Sequence, residues 1–305
     1  MRILVVGAGA IGGYFGGRLL EKGEDVTFLV REGRKKQLEK TGLKIESVNG
    51  NFEIRPRLLV SGENEEKFDV VFISTKSYQL SSAIKDVRPH LAEDGIILPL
   101  LNGISHVEDL IEAFGDEAVI GGLCFIETTL NEVGTIVQTS PAHQLIYGER
   151  TGTRTTRIEQ LQSVFEGSKA DFVLSDDINQ EMWHKYLFIT AMSGITSLME
   201  SPIGPIRRLE SGQRIILELL NEIAVIMKKI DAPIKDDITD IQLKRINELN
   251  EGMKSSMQRD MEKFLSIEAD HLQGFLLGKA KEYKLSTPIL ETIYTKLTLY
   301  GEKRS

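Results

Sequence analysis

Short, continuous apolar runs alternate with amphipathic stretches in the first half of the chain. Four of these runs are rich in β-branched residues, at positions 3–6, 26–30, 70–74 and 96–100. Uninterrupted apolar strands are typical of a parallel sheet that is buried on both faces. Helical patterns at 11–21 and 79–91 lie between them. The pattern therefore predicts an α/β fold with an N-terminal, doubly wound, mostly parallel sheet of the Rossmann type.

The pattern differs in residues 118–148. Runs at 119–126, 135–139 and 144–147 resemble strands, and the segment 131–134 has the composition of a turn. We expect these three strands to form an antiparallel extension of the sheet.

After about residue 177, long helical patterns replace the strands. They cover 178–199, 213–230, 238–261 and 267–283, and a last one starts at Pro288. The sequence therefore predicts two domains, a nucleotide-binding domain at 1–174 and an all-helical domain at 175–305, which would complete the active site.

Composition excludes several classes of protein. The 305 residues carry a net charge of −8, which argues against nucleic acid as a partner because phosphate binding draws on clustered cations. The single cysteine, Cys124, allows no intrachain disulfide and no cysteine-based zinc site. No apolar run is long enough for a membrane span, and we interpret the apolar start of the chain as a strand rather than a signal peptide. We expect a cytoplasmic location.

A glycine-rich turn follows the first predicted strand directly and precedes a helical pattern. It has the form G-x-G-x-x-G and consists of Gly7, Ala8, Gly9, Ala10, Ile11 and Gly12. In a strand–turn–helix context this motif binds the pyrophosphate of a dinucleotide at the helix N-terminus. The alternative is an ordinary strand–helix turn, which the following second strand at 26–30 makes less attractive.

The end of the second predicted strand bears on the choice of nicotinamide cofactor. Arg31 stands where NAD-binding proteins usually carry an acid, and Arg34 and Lys35 follow. Cations at this place suit the 2′-phosphate of NADPH. Glu32 could instead face the ribose and favour NADH, and the basic run could be a solvated surface turn. We predict NADPH, with NADH the less favoured cofactor.

Two polar segments follow predicted strands, at the carboxyl edge where doubly wound sheets bind ligands. They contain Lys76 and Asn102, which we expect to point toward the nicotinamide end of the crevice. Each also has a structural interpretation, as a lysine at a helix start and as a turn-forming Asn-Gly pair. In the helical half, Lys185 lies in a strongly apolar run. Such a lysine must extend to solvent, pair with another group, or face a polar cleft where it can transfer a proton.

Ser256 and Glu268 are further candidates in the helical half. In one continuous helix they would be about 18 Å apart, too far to share a small substrate. Ser266 has the character of an N-cap, so we expect a break near 263–266 that lets the two converge. The alternative for Glu268 is a carboxylate that compensates the dipole at a helix start.

The sequence resembles ketopantoate reductase, 2-dehydropantoate 2-reductase, along nearly its whole length. The resemblance rests on the order and spacing of several short segments. They are Gly7–Gly12, Thr75-Lys76, Asn102-Gly103, Trp183–Lys185, Ser255–Met257, Asp260, and Glu268 with Asp270 and Gly274. It implies an NADPH-dependent oxidoreductase that reduces a small 2-oxo acid, ketopantoate, to pantoate in pantothenate biosynthesis.

The resemblance also implies roles for individual residues. Lys185 would protonate the carbonyl oxygen as hydride arrives, and Glu268 would orient the lysine or the substrate. Asn102, Ser256 and Ser193 would bind substrate, and Asn102 would also contact the cofactor. The remaining roles concern the cofactor: Lys76 would lie at the nicotinamide–substrate junction and Arg31 would contact the 2′-phosphate.

The chain departs from the family pattern on the helix that carries Lys185. The family typically has asparagines four and eight residues after that lysine, where this chain has Ile189 and Ser193. Ser193 could replace at most one substrate contact. A reductase of another 2-oxo acid is therefore the second hypothesis, and a nicotinamide-sensing module without catalysis is the third. The sequence is compatible with a homodimer but does not fix the oligomeric state.

Overall fold

The computed structural model describes residues 1–304. Its strands, numbered in chain order, are β1 Ile3–Val6, β2 Val26–Leu29, β3 Leu43–Ser47, β4 Phe52–Ile54, β5 Arg57–Leu59, β6 Phe68–Ile73, β7 Leu91–Pro99, β8 Gly121–Leu130, β9 Ile136–Gly148 and β10 Asp171–Leu174.

The α-helices within the same residues are α1 Ala10–Lys22, α2 Glu32–Thr41, α3 Leu80–Val87, α4 His106–Phe114, α5 Thr156–Phe165, α6 Ile178–Met199, α7 Ile203–Arg207, α8 Glu210–Lys229, α9 Ile238–Glu248, α10 Ser256–Glu262, α11 Phe275–Glu282 and α12 Pro288–Glu302. Two short 3₁₀ turns, Ser77–Gln79 and Arg88–His90, flank α3. A π-helical turn, Asp270–Gly274, leads directly into α11.

The described chain divides into two compact units. The first comprises Met1–Leu101 and His106–Asn179, and the second comprises Asn102–Ser105 and the described residues from Gln180 onward. The predicted division into 1–174 and 175–305 assumes a single cut. The segment Asn102–Ser105, which follows β7 in the chain, instead belongs to the second unit.

The first sheet of unit 1 has the strand order β5-β2-β1-β6-β7, and all its strands are parallel. In the register, Ile3 lies beside Val26 on one side and beside Val70 on the other. The four residues of β1 are all buried. This confirms the predicted doubly wound parallel sheet, in which the carboxyl ends of β1, β2 and β6 lie at one edge.

The prediction for residues 118–148 needs two corrections. The runs at 135–139 and 144–147 are one strand, β9, because the chain stays extended through Pro141. The ladder between β8 and β9 shifts register between Ile126 and Thr128, so Pro141 falls where no ladder hydrogen bond is needed. β8 and β9 are antiparallel as predicted. However, they belong to a separate mixed sheet, because β9 also pairs in parallel with β3 and β10.

Helix α1 packs against both sheets, and its glycines make this possible. A Cβ at Gly16 would lie 2.9 Å from Val5 and Phe28 in the first sheet. A Cβ at Gly17 would lie 2.6 Å from the side chain of Ile45 in the second sheet. Small residues on two faces of one helix let backbone approach closely on both sides. The helix is therefore buried along most of its length, which fixes the glycine-rich turn that precedes it.

Unit 2 is all-helical, as predicted, but its helix boundaries differ from the expectation at two places. The pattern at 238–261 forms two helices, since α9 ends at Glu248 and α10 starts at Ser256. Backbone of the intervening segment pairs with the first turn of α7: Ile203 N donates to Met253 O and Gly204 N donates to Glu251 O, both at 3.0 Å. These long-range bonds satisfy backbone groups that a continuous helix would otherwise use.

The expected break near 263–266 is confirmed, because α10 ends at Glu262 and helical structure resumes only at residue 269. The expectation that Ser266 caps the next helix is wrong. Its hydroxyl accepts a hydrogen bond from Arg304 Nη1 at 2.9 Å. The first intrahelical bond instead runs from Leu272 N to Glu268 O at 3.0 Å.

Candidate functional site

The glycine-rich turn of unit 1 has the geometry that the sequence pattern requires. Gly7 has a φ of +92°, which an L side chain rarely adopts. A Cβ at Gly12 would overlap the hydroxyl of Ser74 and lie 2.5 Å from the Gly7 carbonyl oxygen. A Cβ at Gly9, by contrast, would meet nothing within 4 Å. Gly7 and Gly12 are thus needed by the fold, whereas Gly9 leaves open space beside the N-terminus of α1.

The basic segment after β2 forms the first turn of α2 rather than a surface turn. Arg31 precedes this helix and is exposed. Lys35 forms an ion pair with Glu63. The guanidinium of Arg34 donates to Ala8 O, with Nε at 3.1 Å and Nη2 at 2.9 Å.

Arg34 is a cation held against the glycine-rich turn by neutral acceptors. Besides Ala8 O, the guanidinium donates to Gly134 O at 3.2 Å and to Gln37 Oε1 at 2.6 Å. Burial lowers the pKa of Arg34 from its ordinary value. Its charge is compensated by no carboxylate within these contacts, so the turn carries a positive charge available to an anionic ligand.

Lys76 follows β6 at the carboxyl edge of the first sheet, as predicted. It adopts an extended conformation before the 3₁₀ turn Ser77–Gln79 and is half-buried. Nearby, Ser74 Oγ donates to Val6 O at 2.7 Å, which ties the ends of β1 and β6 together.

In unit 2 the structure brings together two of the predicted site residues, Lys185 and Asn102. Lys185 Nζ donates to Asn102 Oδ1 at 2.9 Å. Lys185 lies on α6 and is 7% exposed, so its ammonium group is held by a polar partner rather than extended into solvent. The segment Asn102–Ser105 thus carries the partner of the buried lysine.

A histidine that the sequence did not single out contacts the same asparagine. His271 Nε2 lies 2.7 Å from Asn102 O, and His271 Nδ1 lies 2.9 Å from Ser105 Oγ. His271 and Asn102 are 169 positions apart in the chain. No local pattern could have indicated this contact, since a lone histidine after an acidic residue has no distinguishing spacing.

Ser193 lies in the interior of unit 2, hydrogen-bonded to a second residue that the sequence did not indicate. Gln273 Nε2 donates to Ser193 Oγ at 2.9 Å and to Thr190 O at 3.1 Å. Both Ser193 and Gln273 are buried. Ile189, one turn after Lys185, is half-buried and packs against the core of unit 2.

Ser256 and Glu268 lie on either side of the break after α10. Ser256 is exposed in the first turn of α10, and the residue that caps this helix is Ser255, whose Oγ accepts from Gln258 N at 3.0 Å. Glu268 is half-buried at the start of the next helical segment. At that position a carboxylate also interacts favourably with the helix dipole.

Within residues 1–304, no group of three or more His, Cys, Asp or Glu side chains is arranged to hold a metal ion. Over the same residues, none of the helices combines the length and apolarity needed to cross a membrane.

A parallel sheet with a glycine-rich turn, followed by a helical unit with a buried lysine, is typical of dinucleotide-binding oxidoreductases. Comparison with known families agrees. Residues 3–152 match the model of ketopantoate reductase PanE/ApbA, and residues 177–301 match that of its C-terminal domain. The chain therefore belongs to the ketopantoate reductase PanE/ApbA family, a family of oxidoreductases.

Individual relatives cover the whole chain. It is 46% identical over 304 residues to the uncharacterized oxidoreductase YkpB of Bacillus subtilis, with 100% of both chains covered. It is 28% identical to 2-dehydropantoate 2-reductase of Geobacter metallireducens, whose crystal structure has a TM-score of 0.88 and covers 98% of this chain and 99% of that one. D-mandelate dehydrogenase in complex with NADH and anilino(oxo)acetate shares the fold at 20% identity, with a TM-score of 0.89 and coverage of 100% and 99%.

Proposed function

We propose that this protein is an NADPH-dependent reductase of a small 2-oxo acid, with ketopantoate as the first candidate substrate and pantoate as its product. The observation that carries the proposal is the buried Lys185 held by Asn102 Oδ1 at 2.9 Å. Reduction of a ketone develops negative charge on its oxygen, which a positioned proton donor stabilises. A sensing module without catalysis would need no such donor.

Each predicted residue has a defined task in this proposal. Lys185 Nζ donates a proton to the carbonyl oxygen as the carbonyl carbon accepts hydride, which the nicotinamide supplies when bound. Asn102 holds the ammonium group by accepting a hydrogen bond from it at Oδ1. Glu268 and Ser256 contribute to orientation and to binding of the 2-oxo acid. Ser193 has a supporting role in this proposal, because its hydroxyl accepts a hydrogen bond from Gln273 in the interior of unit 2.

The residues of unit 1 fit a dinucleotide. The open space beside Gly9 admits a pyrophosphate to the N-terminus of α1, where free N–H groups bind anions. Arg31 is assigned to the 2′-phosphate. Arg34 adds a second cation beside the turn, and Lys76 is assigned to the nicotinamide end. NADH is the less favoured cofactor, and it would depend on Glu32.

Replacement of the lysine tests the chemical role. Lys185→Met should lower kcat for ketopantoate reduction by about 10²- to 10⁴-fold, the usual contribution of general acid catalysis. NADPH binding, followed by fluorescence titration, should stay within about twofold because the glycine-rich turn, Arg31 and Lys76 are all in unit 1. Full activity of Lys185→Met would remove Lys185 as the acid. Loss of NADPH binding would indicate a general structural defect.

Replacement of the cations tests the cofactor assignment. Arg31→Gln and Arg34→Gln should each lower kcat/KM for NADPH relative to NADH by about tenfold, because Arg31→Gln removes a hydrogen bond to the charged 2′-phosphate and Arg34→Gln removes the positive charge beside the turn. Lys35→Gln is the matched control, since its ion pair with Glu63 already compensates its charge. Unchanged NADPH/NADH ratios in both arginine variants would contradict an NADPH preference that is set here.

A reductase of a different 2-oxo acid is the second candidate, and Ile189 favours it. An apolar side chain at this position cannot hydrogen-bond a substrate hydroxyl, and an unpaired polar group costs about 1–3 kcal/mol. The shared fold does not decide between substrates, since D-mandelate dehydrogenase has it too. A panel of 2-oxo acids compared by kcat/KM, for the wild type and for Ile189→Asn, separates the candidates. If the wild type has a kcat/KM for another 2-oxo acid that is orders of magnitude above that for ketopantoate, the second candidate function is the correct one.

A cytoplasmic location and a homodimer remain predictions.

A further inference from the structure

His271 contacts Asn102, the residue that accepts the hydrogen bond of Lys185. His271 lies in the π-helical turn Asp270–Gly274, and its ring bridges Asn102 O at 2.7 Å and Ser105 Oγ at 2.9 Å. π-Helical turns cost regular hydrogen bonding and frequently mark functional sites. Here the turn directs an imidazole at the segment Asn102–Ser105.

The protonation pattern of this bridge follows from the partners. A backbone carbonyl can only accept, so His271 Nε2 carries the hydrogen and donates it to Asn102 O. In the neutral ring Nδ1 is then the acceptor, and Ser105 Oγ donates to it. The serine thus selects the tautomer that binds the Asn102 carbonyl.

Gly103 is needed for this approach. Its φ is +90°, and a Cβ at this position would lie 2.7 Å from His271 Nε2 and 2.8 Å from Cδ2. Any side chain would therefore push the ring away from Asn102. The Asn-Gly pair serves the contact with His271 as well as the turn.

The same π-helical turn also contacts Tyr186, the residue next to Lys185. Tyr186, the neighbour of Lys185 on α6, donates its hydroxyl to Leu272 O at 2.5 Å and is fully buried. His271 thus fixes the backbone of the residue that accepts from Lys185, while Leu272 fixes the residue next to Lys185. His271 and Leu272, which are adjacent in this turn, therefore help to set the distance between Lys185 Nζ and Asn102 Oδ1.

We propose that His271 is a positioning residue for the reduction, which holds Asn102 so that its amide oxygen orients the Lys185 ammonium group. This inference rests on the proposed function. Misplacing a catalytic group by about 1 Å can cost about 100-fold in rate, so loss of the His271–Asn102 bond lowers kcat more than it affects binding.

Two substitutions separate the ends of the imidazole. In His271→Gln the amide nitrogen replaces Nε2 and keeps the bond to Asn102 O, whereas His271→Asn replaces only the Nδ1 end. We expect kcat to fall about 10- to 100-fold in His271→Asn and to stay within about threefold of wild type in His271→Gln. The Kd for NADPH and the Tm should be similar in the two variants. A merely structural role would not be rescued by glutamine.

Tyr294→Phe is the matched control, because Tyr294 lies on α12 and contacts the same turn. The Tyr294 hydroxyl donates to Asp270 Oδ1 at 2.6 Å and holds the π-helical turn without touching Asn102, so kcat should stay near wild type. Equal activity of His271→Asn and His271→Gln, or an equal loss in Tyr294→Phe, overturns the inference while the proposed function stands. A wild-type protein that reduces no 2-oxo acid overturns both.

Discussion

At the scale of single residues, the three glycines of the turn have different physical duties. Gly7 supplies a left-handed backbone conformation, and Gly12 admits the close approach of α1 to the carboxyl end of β6. Gly9 is constrained by neither, since a Cβ there has open space and its φ of −86° is ordinary. In the proposed function, it is the pyrophosphate of the cofactor that requires a glycine at position 9.

This contrast predicts opposite outcomes for two alanine substitutions. Gly9→Ala should change the free energy of unfolding by less than about 0.5 kcal/mol, because the new methyl group would have open space. It should nevertheless weaken NADPH binding about tenfold or more, since an ill-placed methyl group costs ~1–3 kcal/mol.

Gly12→Ala should destabilise the protein itself by about 1–3 kcal/mol, because the new methyl group overlaps Ser74. Urea denaturation and NADPH titration of both variants give the comparison. An equal loss of stability in Gly9→Ala would show that Gly9 is also structural.

At the scale of elements, several helices of unit 2 end in the same motif without a glycine. The residues with positive φ that are not glycine are Glu200, Asp231, Phe264 and Lys284. Each follows the end of a helix, and the next residue donates back to the last turn, as Leu285 N does to Ala280 O at 2.8 Å. This is a Schellman motif, in which glycine is the usual left-handed residue. In unit 1, Gly23 ends α1 in the usual way.

Lys284 offers a test of the strain in this motif. It is exposed, has a φ of 55° and follows α11. Lys284→Gly should raise the free energy of unfolding by about 1 kcal/mol, because an L residue pays roughly 1–2 kcal/mol in this conformation.

Lys281→Gly is the matched control, since Lys281 is exposed within α11 and glycine there should cost about 1 kcal/mol. The two variants should therefore shift the Tm in opposite directions. A lower Tm in Lys284→Gly would mean that the lysine side chain contributes more than the strain removes.

At the scale of the whole molecule, the chain carries a net charge of −8. Its buried carboxylate Glu149 is compensated by a cation, and this pair makes the stability depend on pH. Glu149, at the end of β9, is buried and accepts from Arg157 Nε and Nη2, both at 2.7 Å, and from Thr155 Oγ1 at 2.6 Å. Burial by itself raises the pKa of Glu149. The hydrogen bonds from Arg157 and Thr155 outweigh it, so the pKa lies below its ordinary value.

A depressed pKa in the folded state stabilises the protein above the ordinary glutamate pKa of about 4.3 and loses this effect as the pH falls through the folded value. Glu149→Gln should therefore lower the free energy of unfolding by roughly 1–3 kcal/mol at pH 7, and the difference from wild type should shrink in acid. Urea titrations from neutral pH to below pH 4 measure it. Glu248→Gln is the control, because its pair with Lys244 is exposed. A difference that does not depend on pH would contradict the assignment.

Much of the architecture was predictable because it depends on local or periodic signals. The buried parallel strands, the glycine-rich turn and the helical second half all follow from short patterns of residue type. The boundaries that failed depend on distant partners. Ser266 is held by Arg304 rather than capping a helix, and the gap between α9 and α10 is stabilised by backbone bonds to the segment at 203–204.

The same division applies to the candidate site. The sequence by itself determined the glycine-rich turn and selected Lys185 as a lysine that must reach solvent, a partner or a polar cleft, because a charge in an apolar run is costly wherever it lies. Only the tertiary structure decided which partner it has. The Asn102 amide reaches Lys185 and the His271 ring reaches Asn102 across 83 and 169 positions of chain. A hydrogen bond depends on distance and direction in space, and residue order fixes neither across such separations.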